Sequence, residues 1–156
     1  MIFVTTGTCE PFDRLLEALD GVGLEERLVV QHGESPVRPV GAECVDFLPF
    51  DELVEHMRTA RVVVTHAGVG SILAALTNGK RPIVVPRLAR YGDAVDDHQL
   101  ELAERLGAED LVTVVHEPGE LPGMLRAPLV HGRASIVPGH ALAADLRAYV
   151  TARLAA

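Results

Sequence analysis

The sequence predicts an α/β fold, one domain built on a parallel sheet of about six strands. Short runs rich in Val and Ile alternate with longer stretches of helical period, the pattern left by repeated strand-helix-strand units. Residues 62–64 and 83–85 are apolar throughout, as strands are when helices cover both faces of a sheet. A chain of 156 residues has room for one hydrophobic core, so 1–156 is read as a single domain.

The elements follow in order. Ile2-Phe3-Val4-Thr5 is the first strand, and a helix is expected at 12–19. The strand at 27–31 is followed by a stretch carrying Gly33, Pro36, Pro39 and Gly41, which reads as a plain connector to a strand at 43–47. Asp51 stands where an N-cap belongs, ahead of an amphipathic helix at 51–59. The apolar runs give strands at 62–65 and 82–85, both expected at the sheet centre, with a helix at 70–78 that Gly79 stops. After an irregular stretch, 86–96, comes a helix at 97–106, in which Leu100, Leu102, Ala103 and Leu106 share an apolar face and Gly107 is the expected stop. A strand at 111–115, a helix at 118–125 and an alanine-rich helix at about 139–154 complete the order.

Composition excludes several function classes. With 48% apolar and 23% charged residues the chain is that of a folded protein, not a disordered one. A net charge of −8 argues against nonspecific nucleic-acid binding, and with no Trp and two Tyr there is little to stack on bases. Any bound phosphate must therefore be held locally. Cys9 and Cys44 lie far apart without CxxC spacing, so no disulfide framework and no zinc site is expected. His32, His56, His116, His131 and His140 show no metal-ligand spacing, and a GxSxG elbow is absent. No basic stretch precedes the N-terminal apolar run and nowhere do 18 apolar residues run together, so the chain reads as cytoplasmic.

Three stretches carry candidate chemistry. Thr5-Thr6-Gly7-Thr8 joins the first strand to the first helix, where a glycine admits close backbone approach to a phosphate; a tight turn accounts for it equally well. It is neither a GxGxxG fingerprint nor a Walker loop. Thr65-His66-Ala67-Gly68-Val69-Gly70-Ser71 leaves an apolar strand and opens a helix, so two glycines, a hydroxyl and an imidazole meet where unpaired N–H groups and the helix dipole favour a diphosphate. The competing account is a capped helix start with an ordinary half-buried histidine. Third, the loop from Pro86 through Arg87, Arg90 and Asp93 runs into Asp96-Asp97-His98-Gln99. Asp97 and Gln99 offer the donors and acceptors that sugar hydroxyls need, although either aspartate could instead cap the helix.

His66-Ala67-Gly68-Val69-Gly70-Ser71, with Gly79-Lys80-Arg81-Pro82-Ile83-Val84-Val85-Pro86 and Asp97-His98-Gln99-Leu100-Glu101-Leu102-Ala103, resembles the glycosyltransferase family 28 C-terminal domain. Val4 to Thr8 and Phe12 extend the likeness, which covers most of the chain through Gly107. The resemblance implies a Rossmann-like domain equivalent to the C-terminal, donor-binding half of a GT-B glycosyltransferase. Its short free-standing members look most similar. These are the catalytic subunits of the eukaryotic dolichol-linked GlcNAc transferase and split bacterial exopolysaccharide and capsule transferases, and the segment from Pro86 to Gln99 looks more like the bacterial group.

By that resemblance the donor is a UDP-sugar and the acceptor a lipid-linked glycan. The acceptor-binding half is a membrane-associated partner, which would hold this chain at the inner face of the membrane. Transfer proceeds with inversion and without metal or other cofactor. The resemblance assigns His66, Gly68, Gly70 and Ser71 to the donor diphosphate, Asp97 and Gln99 to the sugar, and Gly7 and Thr8 to the loop facing the cleft. Arg87, Arg90 and Lys80 are further candidates for the diphosphate charge. No residue stands out as general base, which the partner half usually supplies. Family motifs often place a Glu three residues after the Ser, to hold the ribose; here Ala74 stands there. That departure keeps open a noncatalytic module that binds a nucleotide-sugar or stabilises a partner. The transferred sugar stays open, and a homodimer of the isolated chain is compatible with the reading.

Overall fold

A computed structural model describes residues 1–127. Its strands are β1 (Ile2–Thr5), β2 (Leu28–Gln31), β3 (Glu43–Val45), β4 (Val62–His66), β5 (Ile83–Val85) and β6 (Thr113–Val114). The helices are α1 (Asp13–Glu17), α2 (Phe50–Thr59), α3 (Val69–Thr77), α4 (His98–Ala108) and α5 (Leu121–Arg126), with short 3-10 turns at Ala89–Tyr91 and Pro118–Glu120. All strand pairs are parallel, in the order β3-β2-β1-β4-β5-β6. This is the doubly wound Rossmann-like arrangement, in which the winding reverses between β1 and β4 and leaves a crevice at their carboxyl ends. The helix expected at 139–154 lies outside the described residues.

The sheet is buried on both faces because alternate residues of each strand enter different clusters. Ile2, Val4, Val62, Val64, Ile83 and Val85 pack with Leu15, Leu16 and Leu19 near α1 and with Leu121 and Leu125 of α5. Phe3, Val29 and Val63 meet Met57 of α2 and Ala74 and Ala75 of α3 on the opposite face. Val84 joins Ile72 and Leu76 of α3 with Leu102, Ala103 and Leu106 of α4 on that same side.

Four local expectations change. The sheet centre is β1 with β4, and β5 lies one place out, because β1 pairs residue for residue with β4 from Ile2 with Val62 to Thr5 with Thr65. Apolarity alone does not separate a central strand from its neighbour. Pro49, not Asp51, is the residue before α2; Asp51 and Glu52 sit in its first turn, where their charge complements the dipole. Gly107 lies inside α4, and Asp110 takes the left-handed turn instead at φ 60, with Asp110 N–H donating to Gly107 O and Leu111 N–H to Leu106 O. A Cβ on Gly107 would come 2.9 Å from Val114 Cγ2, so the glycine is there to let α4 approach β6. The stretch after β2 is more than a connector, since Gly33 lies so close under the loop after β1 that a Cβ there would be 2.5 Å from Gly7 O. Gly79, at φ 73, does stop α3, with Gly79 N–H on Leu76 O and Lys80 N–H on Ala75 O.

Candidate functional site

The crevice at the carboxyl ends of β1 and β4 is an open cleft of about 390 Å³. Thr6, Gly7, Thr8, Cys9 and Glu10 form one wall, and His66, Gly68, Gly70 and Ser71 form the floor at the start of α3. Arg87 comes from the β5–α4 connection and Gln99 from the first turn of α4, and Gln31 and Leu53 close the β2 side. The topology explains the meeting: β1 and β4 are neighbours at the reversal, so the loops that leave them face each other.

The floor is a helix N-terminus without a side-chain cap. Gly68 is the residue before α3, the first turn holds no acidic side chain, and Ile72 N–H is the donor that Gly68 O accepts. The N–H groups of Val69, Gly70 and Ser71 precede the helical ladder, and the dipole adds positive potential there. Gly70 is exposed, and a Cβ on it would meet nothing within 4 Å. An anion has unobstructed access to that turn.

His66 ends β4 in register with Val85. Its imidazole occupies the space left by two glycines: a Cβ on Gly7 would lie 2.9 Å from Cε1, and one on Gly68 would overlap the ring, 2.8 Å from Cε1. Burial, reinforced by the positive charge of Arg87, pulls its pKa down to about 4 against a weaker opposing hydrogen bond that the ring donates to the Thr5 backbone. His66 is therefore neutral at physiological pH in the unliganded cleft.

Polar residues beneath the first wall bond to one another and to the backbone. Gln31, 1% exposed, donates through Nε2 to Thr5 Oγ1 at 3.1 Å and accepts from Leu48 N–H through Oε1 at 3.0 Å. Thr5 Oγ1 also accepts Gly7 N–H at 3.3 Å, and Thr6 N–H donates to Gln31 O at 3.1 Å. Gly7 itself needs its left-handed φ of 84 to turn the chain back over this network.

Of the residues singled out from sequence, Gly7, Thr8, His66, Gly68, Gly70, Ser71, Arg87 and Gln99 line the one cleft. Asp97 does not: it precedes α4, and its carboxylate accepts Ala89 N–H at 2.8 Å. Asp96 Oδ1 accepts His98 N–H at 3.2 Å and also pairs with the His98 ring. Ala74 is likewise outside, buried between α3 and the sheet. The lining also includes Thr6, from the first candidate stretch, and Cys9, Glu10, Gln31 and Leu53, which sequence reasoning did not single out. A glutamine closing the otherwise apolar strand Leu28–Gln31 was the available signal for one of them. Among the described residues no group of acidic, His and Cys side chains is arranged to hold a metal ion, and no helix is long and apolar enough to cross a membrane.

Comparison with known proteins follows the same lines. The glycosyltransferase family 28 C-terminal domain profile matches residues 1–129. The UDP-N-acetylglucosamine transferase subunit ALG13 of Yarrowia lipolytica (strain CLIB 122 / E 150) is 32% identical over 126 residues, 68% of this chain and 60% of that protein. The protein of the same name from Homo sapiens is 33% identical over 146 residues, 81% of this chain but 12% of the relative, so the chain spans less than two thirds of either. Among solved structures, the glycosyltransferase SnogD from Streptomyces nogalater aligns with a TM-score of 0.54 at 22% identity, over 76% of this chain and 31% of its own. The glycotransferase of kitacinnamycin aligns at 0.52 and 19% identity, over 79% and 33%. At these identities the two structures share the fold.

Proposed function

The chain belongs to the glycosyltransferase family 28 C-terminal domain family, and from that premise we propose that it is the donor-binding half of a two-part GT-B glycosyltransferase. One domain across 1–156 grips a UDP-sugar, and a separate membrane-associated subunit brings the lipid-linked acceptor. The observation that carries this reading is the uncapped start of α3, opening into a cleft whose opposite wall is the Gly7 loop. The diphosphate lies on the N–H groups of Val69, Gly70 and Ser71, with the Ser71 hydroxyl and the neutral His66 imidazole as further partners. The sugar extends toward Gln99. The relatives named UDP-N-acetylglucosamine transferase subunits make UDP-N-acetylglucosamine the first donor to try.

In the reaction an acceptor hydroxyl attacks the anomeric carbon while the bond to the diphosphate oxygen breaks. The electron pair leaves with UDP, and the hydroxyl proton passes to a base on the partner. Attack from the face opposite UDP inverts the centre. The start of α3 lowers the barrier by stabilising charge as it develops on the diphosphate. Hexosyl transfer in polysaccharide synthesis at the inner face of the membrane is the setting that fits.

Calorimetric titration of UDP into the isolated chain tests the donor site. Assay of the chain alone and together with its co-expressed partner tests the division of labour: transfer is expected only from the pair, and robust transfer by the single polypeptide would overturn the split. A second reading, a noncatalytic module that binds nucleotide-sugar and stabilises its partner, draws on one observation. Position 74 holds a buried alanine and so leaves the ribose without a carboxylate from α3. UDP binding with no turnover in the assembled pair would favour it.

A further inference from the structure

Arg87 follows β5 and lines the cleft, which makes it a candidate for the diphosphate charge. The structure gives its guanidinium other work. The residue is 3% exposed, and its Nη2 donates to Thr6 O at 2.9 Å and Glu10 O at 2.7 Å. Its Nη1 donates to Pro11 O at 2.5 Å and, at a longer 3.4 Å, to Asp93 O. Its Cζ lies 4.6 Å from the Phe12 ring centroid, and its backbone N–H donates to Gln99 Oε1 at 3.2 Å. Both terminal nitrogens of the fork are thus spent on backbone carbonyls of two loops, and gripping a phosphate through them would mean surrendering those bonds.

We propose that Arg87 is the positioning residue that ties the two walls of the cleft into one unit, and that it acts on the donor through the Gly7–Pro11 loop without contacting the diphosphate. This rests on the donor-binding reading above. The loop from Thr6 to Pro11 lies outside every helix and strand, so its shape depends on such ties. Gly33 supports it from below, and Arg87 holds its later carbonyls from the side. A second tie runs parallel: Arg14 of α1 bonds Asp93 Oδ2 at 2.7 Å and Pro86 O at 3.2 Å, and the same carboxylate oxygen accepts Leu88 N–H at 3.3 Å. Both ties run from the β1–α1 region to the β5–α4 connection, so closing one wall on a donor carries the other with it. Planarity is essential to the tie, since four carbonyls are reached by one flat fork stacked on an aromatic ring, which a lysine ammonium cannot imitate.

Amide NMR spectra of unliganded R87M and R87K, with UDP titrations and histidine titration of each, test the tie. Both variants should displace or broaden the amides of Gly7, Thr8, Cys9 and Glu10 while those of Val69, Gly70 and Ser71 hold their positions. Both should weaken UDP by about tenfold, because neither replacement has a fork. The His66 titration should move up in R87M, which loses the neighbouring charge, and stay near its parent value in R87K, which retains it. Loop amides that do not move in either variant overturn the proposal, whether UDP affinity is lost with R87M and kept with R87K, as for a direct point-charge ligand, or kept in both. R87K, which retains the charge and an alkyl stem, carries the amide and affinity comparison should R87M fail to fold. Failure of the parent itself to bind UDP strikes the donor reading alone, because the amide comparison is made without ligand.

Discussion

The ring of His66 and the backbone of Gly68 occupy adjoining space so closely that a Cβ on Gly68 would lie 2.8 Å from Cε1 and 3.0 Å from Cδ2 of the imidazole. Gly68→Ala therefore has to displace a desolvated ring. A cost of about 1–3 kcal/mol is expected by urea denaturation, of the size typical for overpacking. The clash has a single partner, so the same substitution in a His66→Ala background should cost much less, and a double-mutant cycle reads the difference. Equal costs in both backgrounds would mean that backbone strain, not the imidazole, reserves position 68 for glycine.

His66 also makes stability depend on pH. Its pKa in the folded protein is about 4, below the ordinary 6.5, so between those values the unfolded chain binds the extra proton and the folded one does not. Stability from this group is complete above about pH 6.5 and declines as pH falls toward 4, by at most about 3 kcal/mol. Urea midpoints measured from pH 7 to 4 should show this slope in the parent and lose most of it in His66→Asn. Since the ring is neutral at pH 7, His66→Asn should weaken UDP only by the amount of a neutral hydrogen bond, about 0.5–1.5 kcal/mol.

Gly70 separates binding from folding. The position is exposed, in the first turn of α3, with open space where a side chain would go. Gly70→Ala should leave stability unchanged or raise it by up to about 1 kcal/mol through helix propensity. Gly70→Leu should fold equally well yet lower UDP affinity by about tenfold or more, by covering the N–H groups at the helix start. Unimpaired UDP binding by the leucine variant would place the diphosphate elsewhere.

Asp93 is the anchor of the outer tie, with side chains of Arg14 and Asp93 18% and 8% exposed. Asp93→Ala removes the partner of a guanidinium and of Leu88 N–H together, and about 2–3 kcal/mol of stability should go with it. Removing Arg14 as well should cost less than removing it from the parent, because its bond to Asp93 is already gone and only its contacts with Pro86 O, His116 O and the rings of Phe12 and Tyr91 remain to be lost. Thermal and urea unfolding of the two single variants and the double variant measure this directly.

How much of this was legible beforehand depends on how far apart in sequence the partners lie. Strand and helix order from Ile2 to Arg126 followed from periodicity and turn residues, which are properties of neighbours along the chain. The start of α3 was legible for the same reason: Gly68, Gly70 and Ser71 follow an apolar strand, and unpaired N–H groups at a helix start are a local consequence of the backbone.

Tertiary structure alone decided what depends on distant partners. That β1 shares the centre of the sheet with β4 is a matter of pairing across some 60 residues, and pattern within either strand says nothing about it. Sequence offers Arg87 to a diphosphate charge and Asp97 to either a sugar or a helix start, since it does not show which partners a charged side chain finds in the fold. The fold supplied carbonyls 76, 77 and 81 residues from Arg87 and turned Asp97 onto Ala89 N–H. The lowered pKa of His66 likewise arose only when two glycine-containing loops closed over the ring beside a buried guanidinium. Local sequence set the backbone's donors and turns, and long-range burial then determined which side chains were free to meet a ligand, because a buried polar group must find its partners wherever the fold brings them.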